Sequence, residues 1–536
     1  MSPIDRRLLL RTAGALAVSS GVLSACSSTG SRPADRGAGT TENAPAPAYR
    51  PLADVTPDIR GDADIPDTYF RYPDAPSQSV PTPPGDGRPV AILTQTFAAV
   101  TPTAPQNTVW AQLNEKLGSE LQIQQIPQAE YVNKFATSLA GGQLPDMFFI
   151  AEQPDMPRMV EATCLDLSDH LSGDAITKYP NLAAIPTAAW EAGRFNGRLY
   201  GLPSPRGAMS SGILYRRDDL LAGKGVEPTW SNFQEFFDLC REVNDPRGGR
   251  WALTSVPSQY IKNMLGIPNF WRFTDGRMES WWTAPRIEDA LEAARRMAEE
   301  GLHHPDAFSA PNTKTWFTTD RAYFNPDSFS AWAQYMASAP KGFDINGCEI
   351  PAFDGNGTGH LWMSFPSFGR SAINKKAVDR VEVLLGVANY LAAPFGTQEY
   401  LDVKFGAEGA DYTMTDGNPQ PTQQGATNRE LGVKYIADAA QVNFLPGHDE
   451  SARKLDALLR KLVPDAFRND AVYLQSAAVS RSFEGDAKTF GALENDIVQG
   501  RKPVSEWRPA ADAWWKDHGQ KMSDELTEAY HAAGRG

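Results

Sequence analysis

The strongest constraint on the fold is an alternation of strand-like and helix-like segments between residues 89 and 150. Short apolar runs beside Gly and Pro predict strands, and apolar residues spaced by three or four predict helices between them. Strands joined through helices pair in parallel, because the helix carries the chain back to the edge where the first strand began. The pattern therefore predicts an α/β fold with a mostly parallel sheet flanked by helices. Its segments are strand 89–94, helix 108–117, strand 121–126, helix 129–139 and strand 147–150.

Length and charge narrow the class of protein. The 536 residues suit two or three units of common size, or a two-lobed fold with an appended tail. With a formal charge of −14 and no compact Lys/Arg cluster, the chain would repel phosphate backbones, so we expect no nucleic-acid partner. After residue 25, no stretch approaches the ~18 uninterrupted apolar residues of a membrane span, so none is predicted.

The cysteines and histidines indicate no metal or cofactor. The four cysteines form no C-x-x-C pair, and the seven histidines show no zinc-type spacing. The Gly-rich run 354–359 lacks the glutamate of a calcium loop, since Phe365 stands at the twelfth position. We expect Cys164 and Cys240 to be small buried side chains.

The first residues have the plan of an export signal. Arginines open the segment 1–25, and an apolar run follows at 13–22. The closing tetrapeptide 23–26, LSAC, resembles a bacterial lipobox. This resemblance implies that Cys26 is diacylated and anchors the chain to the outer face of the cell membrane.

The export route stays open. Arg6 and Arg7 give the segment 5–11 a resemblance to a twin-arginine signal. Asp5 and Leu9 depart from that pattern, and paired arginines also occur in general secretory signals.

Residues 26–88 are rich in Ser, Pro, Gly, Ala and Asp and have almost no apolar periodicity. Such a composition buries too little surface to offset the entropy of ordering the backbone. The sequence therefore predicts a flexible tether between the anchor and a body that begins near residue 89.

A series of short motifs resembles the family 1 extracellular solute-binding proteins, in particular a carbohydrate-type branch of large Gram-positive lipoproteins. The resemblance covers roughly residues 90 to 530, and no single motif is decisive. The motifs are YVNKFATSLAGGQLPD (131–146), FNGRLYGLP (195–203), LYRRD (214–218), PTW (228–230), GLHHPD (301–306), the stretch 370–393, FGTQEY (395–400) and FGAEGADY (405–412).

This resemblance implies a type II periplasmic-binding-protein-like fold, with two α/β lobes joined by a hinge that the chain crosses several times. We expect the N-lobe to hold residues 89–204 and 316–365. The C-lobe would hold residues 205–315 and 366–536, including a C-terminal helical tail. The family captures a small molecule between the lobes and passes it to ABC importer permease subunits, which implies the same partners here.

Sugar recognition needs flat apolar faces and planar polar groups. We searched for both where strands of a parallel sheet end and where the chain crosses between lobes. A surface-loop or packing role remains the alternative at each position. The candidates are Gln95 after the first strand, Glu152 and Gln153 after the third, Arg206 at the first crossing, Asn269 and Trp271 in a later loop, and Trp362 near a later crossing.

Several other residues of suitable type are expected to be structural. Asp146, directly before a strand, is expected to order a turn. Trp230 is expected to pack beside a helix, and Trp507, Trp514 and Trp515 are expected to dock the tail.

The preferred function is ligand binding without catalysis, by a monomer that takes a small molecule, an oligosaccharide in preference to a peptide. An exported carbohydrate-active hydrolase is the main alternative, but no carboxylate pair stands out and no G-x-S-x-G or H-E-x-x-H motif occurs. A ligand-sensing subunit of a membrane receptor is the second alternative.

Overall fold

A computed structural model describes residues 43–52, 55–337 and 339–535 of the chain. The predicted export signal, the predicted lipidation site Cys26 and residues 27–42 of the predicted tether lie outside the described residues.

Two sheets organise the described chain. The N-lobe sheet has the strand order β2-β1-β3-β9-β4, and the C-lobe sheet has the order β8-β5-β7-β6. In chain order the strands are β1 (Val90–Thr96), β2 (Leu121–Pro127), β3 (Met147–Phe149), β4 (Leu202–Pro205), β5 (Gly212–Arg217), β6 (Trp251–Leu253), β7 (Ala322–Ser328), β8 (Ile345–Gly347) and β9 (Ser367–Ile373).

The predicted start of the N-lobe is confirmed. Helices Thr108–Leu117 and Gln128–Ala140 separate β1, β2 and β3, close to their predicted bounds. Asn107 caps the first helix by accepting a backbone N–H, and Gly118 ends it at φ 66°, a conformation that suits glycine.

Parallel pairing holds where helices connect the strands. β1 pairs in parallel with β2 and β3, and β7 pairs in parallel with β6. β9 is antiparallel to β3 and β4, and β5 is antiparallel to β7 and β8. β5 and β9 enter their sheets directly from the other lobe, with no helical crossover to reverse their direction. Each sheet is therefore mixed.

The strand registers bring one edge of each sheet to the junction of the lobes. Ser328 at the end of β7 pairs with Gly212 at the start of β5, which has just entered the C-lobe. Phe149 at the end of β3 pairs with Ser371 in β9, which has just entered the N-lobe. The carboxyl-terminal ends of β1, β3, β6 and β7 therefore point towards the crossings.

The chain divides between the lobes differently from the predicted boundaries. Residues 316–365 were expected in the N-lobe, but β7 and β8 pair with β5 in the C-lobe sheet, and Phe317 is buried in the C-lobe core. Residues 366–436 were expected in the C-lobe, but β9 and helix Val381–Leu391 belong to the N-lobe sheet and core. Motif order gives no information on strand pairing, so it could not reveal these crossings.

The chain crosses between the lobes near residues 206–211, 364–366 and 438–445. The first two crossings run side by side, since the backbone N–H groups of Arg206 and Gly207 both donate to the Pro366 carbonyl. The third begins after Ala437, in the N-lobe core, and ends at Leu445, in the C-lobe core.

Helices cover both sheets and build the tail. The N-lobe also contains Met156–Thr163 and Gln398–Lys404. The C-lobe contains Asp218–Lys224, Phe233–Val243, Ser258–Met264, Ile287–Glu299, Thr313–Thr318, Ala331–Ala337 and Asp449–Leu462, and the tail contains Ala477–Val498, Trp507–Trp514 and Gln520–Ala532.

Tryptophan packing in the C-lobe agrees with the expected structural roles. Trp507 is fully buried and donates its indole N–H to the Trp282 carbonyl, and the rings of Trp282 and Trp514 lie 4.8 Å apart. Trp230 donates its indole N–H to the Tyr260 hydroxyl. Cys164 and Cys240 are buried free thiols, as expected.

The predicted tether differs from the structure over its described part, residues 43–52 and 55–88. Ile65, Tyr69 and Tyr72 are buried, and strand Thr68–Tyr69 pairs in parallel with Asn443–Phe444. A few apolar side chains and backbone hydrogen bonds hold this segment to the body, although its composition as a whole is polar.

Candidate functional site

The carboxyl-terminal edge of the N-lobe sheet carries a group of aromatic rings. Phe97 directly follows β1, Phe149 ends β3, and Phe368 lies in β9. The ring centroids of Phe97 and Phe368 lie 6.0 Å apart, and the Tyr435 ring lies within 5.9 Å of both. Phe97 and Phe368 are 61% and 41% exposed, so apolar ring surface faces the solvent at this edge.

A second aromatic group adjoins the first on the C-lobe side. Phe365, in the second crossing, is 38% exposed and lies 6.4 Å from Phe270 and 6.2 Å from Tyr473. The Tyr473 hydroxyl accepts the backbone N–H of Ser367, which fixes its ring beside the crossing. Phe365 and Phe368 are three residues apart in one segment, so the two groups are neighbours along the chain. We call Phe97, Tyr435, Phe368, Phe365 and Tyr473 the aromatic row.

Backbone strain marks the same place. Phe270 and Tyr473 both have φ 59°, in the left-handed region that large side chains rarely adopt. The other non-glycine residues with positive φ in the described chain are Asp or Asn, which tolerate that conformation in turns. Strained residues persist where the surroundings enforce them, and they concentrate at functional sites.

The C-lobe contributes a cavity of about 210 Å³ at the crossing end of its sheet. Its wall includes the first residues of β5, Gln259 in the first turn of a helix, and Asp327 near the end of β7. The Gln259 amide donates to the Gly212 carbonyl at 3.3 Å, and no described residue donates to its side-chain oxygen. Asp327 accepts the Tyr335 hydroxyl at 2.6 Å and pairs with Lys314 at 3.3 Å through the same oxygen, which leaves its other oxygen to the backbone N–H of Ser328 and to the cavity. The cavity therefore offers hydrogen-bond acceptors on a largely apolar floor.

A buried ion network holds the first and third crossings together. Arg206 donates to one oxygen of Asp438 at 2.7 Å, and the Lys404 ammonium lies 2.5 Å from the other. Burial alone would raise the pKa of Asp438, but the charges of Lys404 and Arg206 outweigh it and hold that pKa below its ordinary value. Asp438 is therefore a carboxylate at neutral pH.

Three predicted site residues lie at the N-lobe edge. Gln95, near the end of β1, is 5% exposed, and the described residues give its side chain no hydrogen-bond partner. Glu152 is exposed and pairs with Arg370 at 2.6 Å, while the Gln153 amide donates to the Glu152 carbonyl. These residues flank β3 at the junction of the lobes.

The other predicted residues make contacts within the protein, and their part in ligand binding stays a prediction. Arg206 belongs to the ion network, and Asn269 is buried, with its amide bonded to the carbonyls of Met363 and Phe467. Trp271 is 3% exposed within the C-lobe core. Trp362 is half-buried and donates its indole N–H to the Ile267 carbonyl, although its ring lies 6.3 Å from Phe270.

Sequence reasoning missed Phe97, Phe368, Tyr435 and the cavity residues. A signal existed for Phe97, because it is a large apolar residue placed just after a strand that was already predicted to end at the site. For Tyr435 no local signal existed, since it reaches the row through the third crossing.

The described residues were also searched for a membrane-spanning helix and for a metal site. Among the described residues, no helix has both the length and the apolar composition needed to cross a membrane. In the same part of the chain, no three His, Cys, Asp or Glu side chains are grouped closely enough to hold a metal ion.

Comparisons with known proteins agree on the fold. A family model described as bacterial extracellular solute-binding protein matches residues 108–380. Lipoprotein LipO of Bacillus subtilis (strain 168) is 22% identical over 458 residues, which cover 78% of this chain and 88% of LipO.

Two solved structures extend the comparison. The alginate-binding protein AlgQ2 without calcium ion has a TM-score of 0.62 at 14% identity, covering 85% of this chain and 100% of AlgQ2. The N-glycan transport solute-binding protein NgtS from Streptococcus pneumoniae, in complex with Man1GlcNAc, has a TM-score of 0.61 at 13% identity, covering 83% of this chain and 99% of NgtS. The predicted two-lobed α/β fold of type II is confirmed.

Proposed function

Because this chain belongs to the bacterial extracellular solute-binding proteins, we propose that it captures a carbohydrate between its lobes and delivers it to the permease of an ABC importer. Oligosaccharides are preferred over single sugars, because the aromatic row is longer than one ring. The output is binding and delivery, without cleavage of the ligand.

The aromatic row is the observation that carries this proposal. Covering exposed aromatic rings with another apolar surface is favourable by about 25 cal/mol for each Å² of apolar area removed from water. The C–H faces of sugar rings are such surfaces, and their hydroxyl groups need polar partners at the rim. The row offers apolar faces for the sugar rings. The C-lobe cavity offers polar partners for the hydroxyl groups, through Gln259 and Asp327.

The arrangement of the lobes supports capture by closure. The two ring groups of the row lie on either side of the second crossing, while the cavity lies at the crossing end of the C-lobe sheet. Rotation of one lobe towards the other would cover a ligand that lies on the row and present a changed surface to a membrane partner.

The comparisons add support for the ligand class. AlgQ2 is named as an alginate-binding protein, and NgtS was solved with Man1GlcNAc. Both names refer to saccharide ligands, on the same fold.

We further propose that the chain is exported and anchored through Cys26 to the outer face of the cell membrane. The lipobox-like sequence LSAC supports this, as does the name of the lipoprotein LipO. Labelling with a radioactive or alkyne-tagged palmitate, compared between wild type and Cys26→Ala, tests the anchor directly.

Thermal unfolding in the presence of a sugar panel tests the ligand class. The panel contains neutral, N-acetylated and uronate oligosaccharides with their monosaccharides. A ligand at about one hundred times its Kd raises the free energy of unfolding by about 2.7 kcal/mol. Chromatography of each positive sample then reports whether the sugar is intact. Cleaved sugar would support the hydrolase alternative and contradict binding without catalysis.

A matched pair of variants tests the aromatic row. The double variant Phe97→Ala, Phe368→Ala is expected to raise the Kd about tenfold or more, because removal of each half-exposed ring costs about 1 kcal/mol of binding free energy. Phe308→Ala is the control, because Phe308 is 37% exposed but lies outside the row. Equal affinities for the double variant and the control would refute the role of the row.

A further inference from the structure

Residues 56–71, here called the arm, leave the N-lobe and return to the same place on it. Before the arm, Val55 packs against Gly396 and the ring cluster around Phe395. After the arm, the Tyr72 hydroxyl accepts the Gly396 N–H at 3.2 Å and donates to the Thr397 carbonyl at 2.5 Å. Both ends of the arm are therefore fixed at residues 395–397.

Residues 395–397 belong to the N-lobe. They precede helix Gln398–Lys404, whose Asp402 accepts hydrogen bonds from Tyr390 at 2.7 Å and Gln112 at 3.1 Å. Tyr390 is part of the N-lobe core, and Gln112 lies in the first helix after β1. The base of the arm thus moves with the N-lobe.

The arm is a preformed hairpin. Ile59 and Thr68 exchange two backbone hydrogen bonds, of 3.2 and 2.9 Å, at its neck. At the tip, which consists of residues 60–67, the Asp62 carboxylate accepts the backbone N–H groups of Asp64 and Ile65. A segment that satisfies its own backbone groups in this way keeps its shape whether or not its tip has a partner.

The tip is docked on the C-lobe. Ile65 is 3% exposed and belongs to the C-lobe core. Asp64 pairs with Arg468 at 2.6 Å, and Arg460 donates to the Arg60 carbonyl at 2.7 Å. Arg460 lies in helix Asp449–Leu462, which covers the C-lobe sheet. The base is held by the N-lobe and the tip by the C-lobe. Beside the base, Phe70 and Arg71 also contact helix Asp449–Leu462, with the Phe70 ring 4.1 Å from the Arg453 guanidinium and Arg71 paired with Asp449 at 2.7 Å.

The contacts of the tip suit reversible docking. Only one apolar side chain, Ile65, enters the C-lobe core from the tip, and the Asp64–Arg468 pair is exposed to water and therefore weak. The base has a buried aromatic cluster instead, formed with Tyr69, Tyr72 and Phe395. The Arg71–Asp449 pair beside the base is likewise exposed, so the tip and this pair are the contacts that yield if the lobes rotate.

We propose that the arm is an intramolecular latch that holds the two lobes in the described arrangement and releases its tip when they rotate. This restraint acts in addition to the three chain crossings, and it does not depend on which ligand the protein takes. Removal of the latch is expected to widen the range of interlobe distances in the protein without ligand.

Pulsed electron paramagnetic resonance between spin labels on Val132→Cys and Asp238→Cys tests the latch. Val132 is exposed on the N-lobe and Asp238 on the C-lobe, and the native thiols Cys164, Cys240 and Cys348 are buried. Ile65→Ala is expected to broaden the distance distribution by several Å. Ile267→Ala is the matched control, because Ile267 is 2% exposed in the same core cluster but lies outside the arm.

Replacement of residues 60–67 by Asn-Gly provides a second variant. This dipeptide closes a two-residue hairpin between the paired residues Ile59 and Thr68, so the neck survives and the whole tip is removed. Broadening in this variant and in Ile65→Ala, but not in Ile267→Ala, supports the latch. Unchanged distributions in both arm variants, or equal broadening in the control, would overturn it.

Discussion

Replacement of Asp438 by Asn is the sharpest test of how the crossings are held. Asp438 is fully buried and accepts from Arg206 on one oxygen and from Lys404 on the other. Asn keeps the shape of the side chain but removes its charge. Arg206 is only 9% exposed, so the variant leaves a nearly buried guanidinium without its counter-ion.

The expected loss of stability follows from this burial. Breaking a buried ion pair by removing one partner costs about 3–5 kcal/mol. The lower end applies here, because Lys404 is 24% exposed and can return to water. A loss of about 3 kcal/mol lowers Tm by about 6–12 °C for a unit of 150–250 residues.

The pH dependence gives an independent check. The folded state holds the pKa of Asp438 below its ordinary value of about 3.9 in an unfolded chain. The contribution of this carboxylate to stability is therefore complete above about pH 4 and is lost as the pH falls through the folded pKa. The difference in Tm between wild type and Asp438→Asn should be constant from pH 7 to about pH 5 and shrink in stronger acid.

Calorimetry or tryptophan fluorescence during thermal unfolding measures both effects. Asp354→Asn is the control, because Asp354 pairs with Arg286 at 2.9 Å on an exposed surface and should cost at most about 1 kcal/mol. A loss for Asp438→Asn no larger than the control, or a difference that persists unchanged to pH 2 or so, would refute the argument that the ion network stabilises the crossings.

Three further predictions rest on single side chains. Gln259→Phe should fill the C-lobe cavity and weaken binding of the sugar found by thermal shift. Its Tm without sugar should stay within about 2 °C of wild type in the same assay. An unchanged Kd would show that the cavity is not part of the binding site. Trp507→Ala should cost about 3–5 kcal/mol by leaving a hole beside Trp282, with early loss of hydrogen-exchange protection in the tail helices; uniform loss of protection would contradict local unfolding. Burial raises the pKa of Cys164 to about 11, so iodoacetamide at neutral pH should modify it only after denaturation, as mass spectrometry can show; rapid modification of the folded protein would contradict that burial.

The first half of the N-lobe was predictable because its elements alternate locally. Helix Thr108–Leu117 has apolar residues at one face, a capping Asn and a terminal Gly, all within a short window. The later crossings were not predictable in the same way. Whether β7 joins the N-lobe or the C-lobe depends on pairing with β5, which lies about one hundred residues earlier, and no local pattern records a partner so distant in sequence.

The arm shows the limit of composition as evidence. Residues 26–88 have the average composition of a linker, yet Ile65 and Tyr69 of the arm each occupy a buried position. One buried side chain of this size contributes about 1.5–3 kcal/mol, which can hold a short hairpin whose backbone is already bonded to itself. An average over sixty residues conceals such isolated anchors.

Most of the predicted ligand residues are polar side chains near the crossings, and several of them bond to other parts of the protein in the structure. Backbone N–H and C=O groups at a crossing have no neighbouring strand to bond with. Nearby polar side chains must therefore form hydrogen bonds with these groups or with one another. Arg206 pairs with Asp438, and Asn269 binds two carbonyls for this reason. The side chains of Phe97, Phe365 and Phe368 carry no polar atom, so they cannot satisfy backbone groups and need no hydrogen-bond partner themselves. These exposed rings are therefore free to meet a ligand at the junction of the lobes, and they are the first positions to substitute in a binding assay.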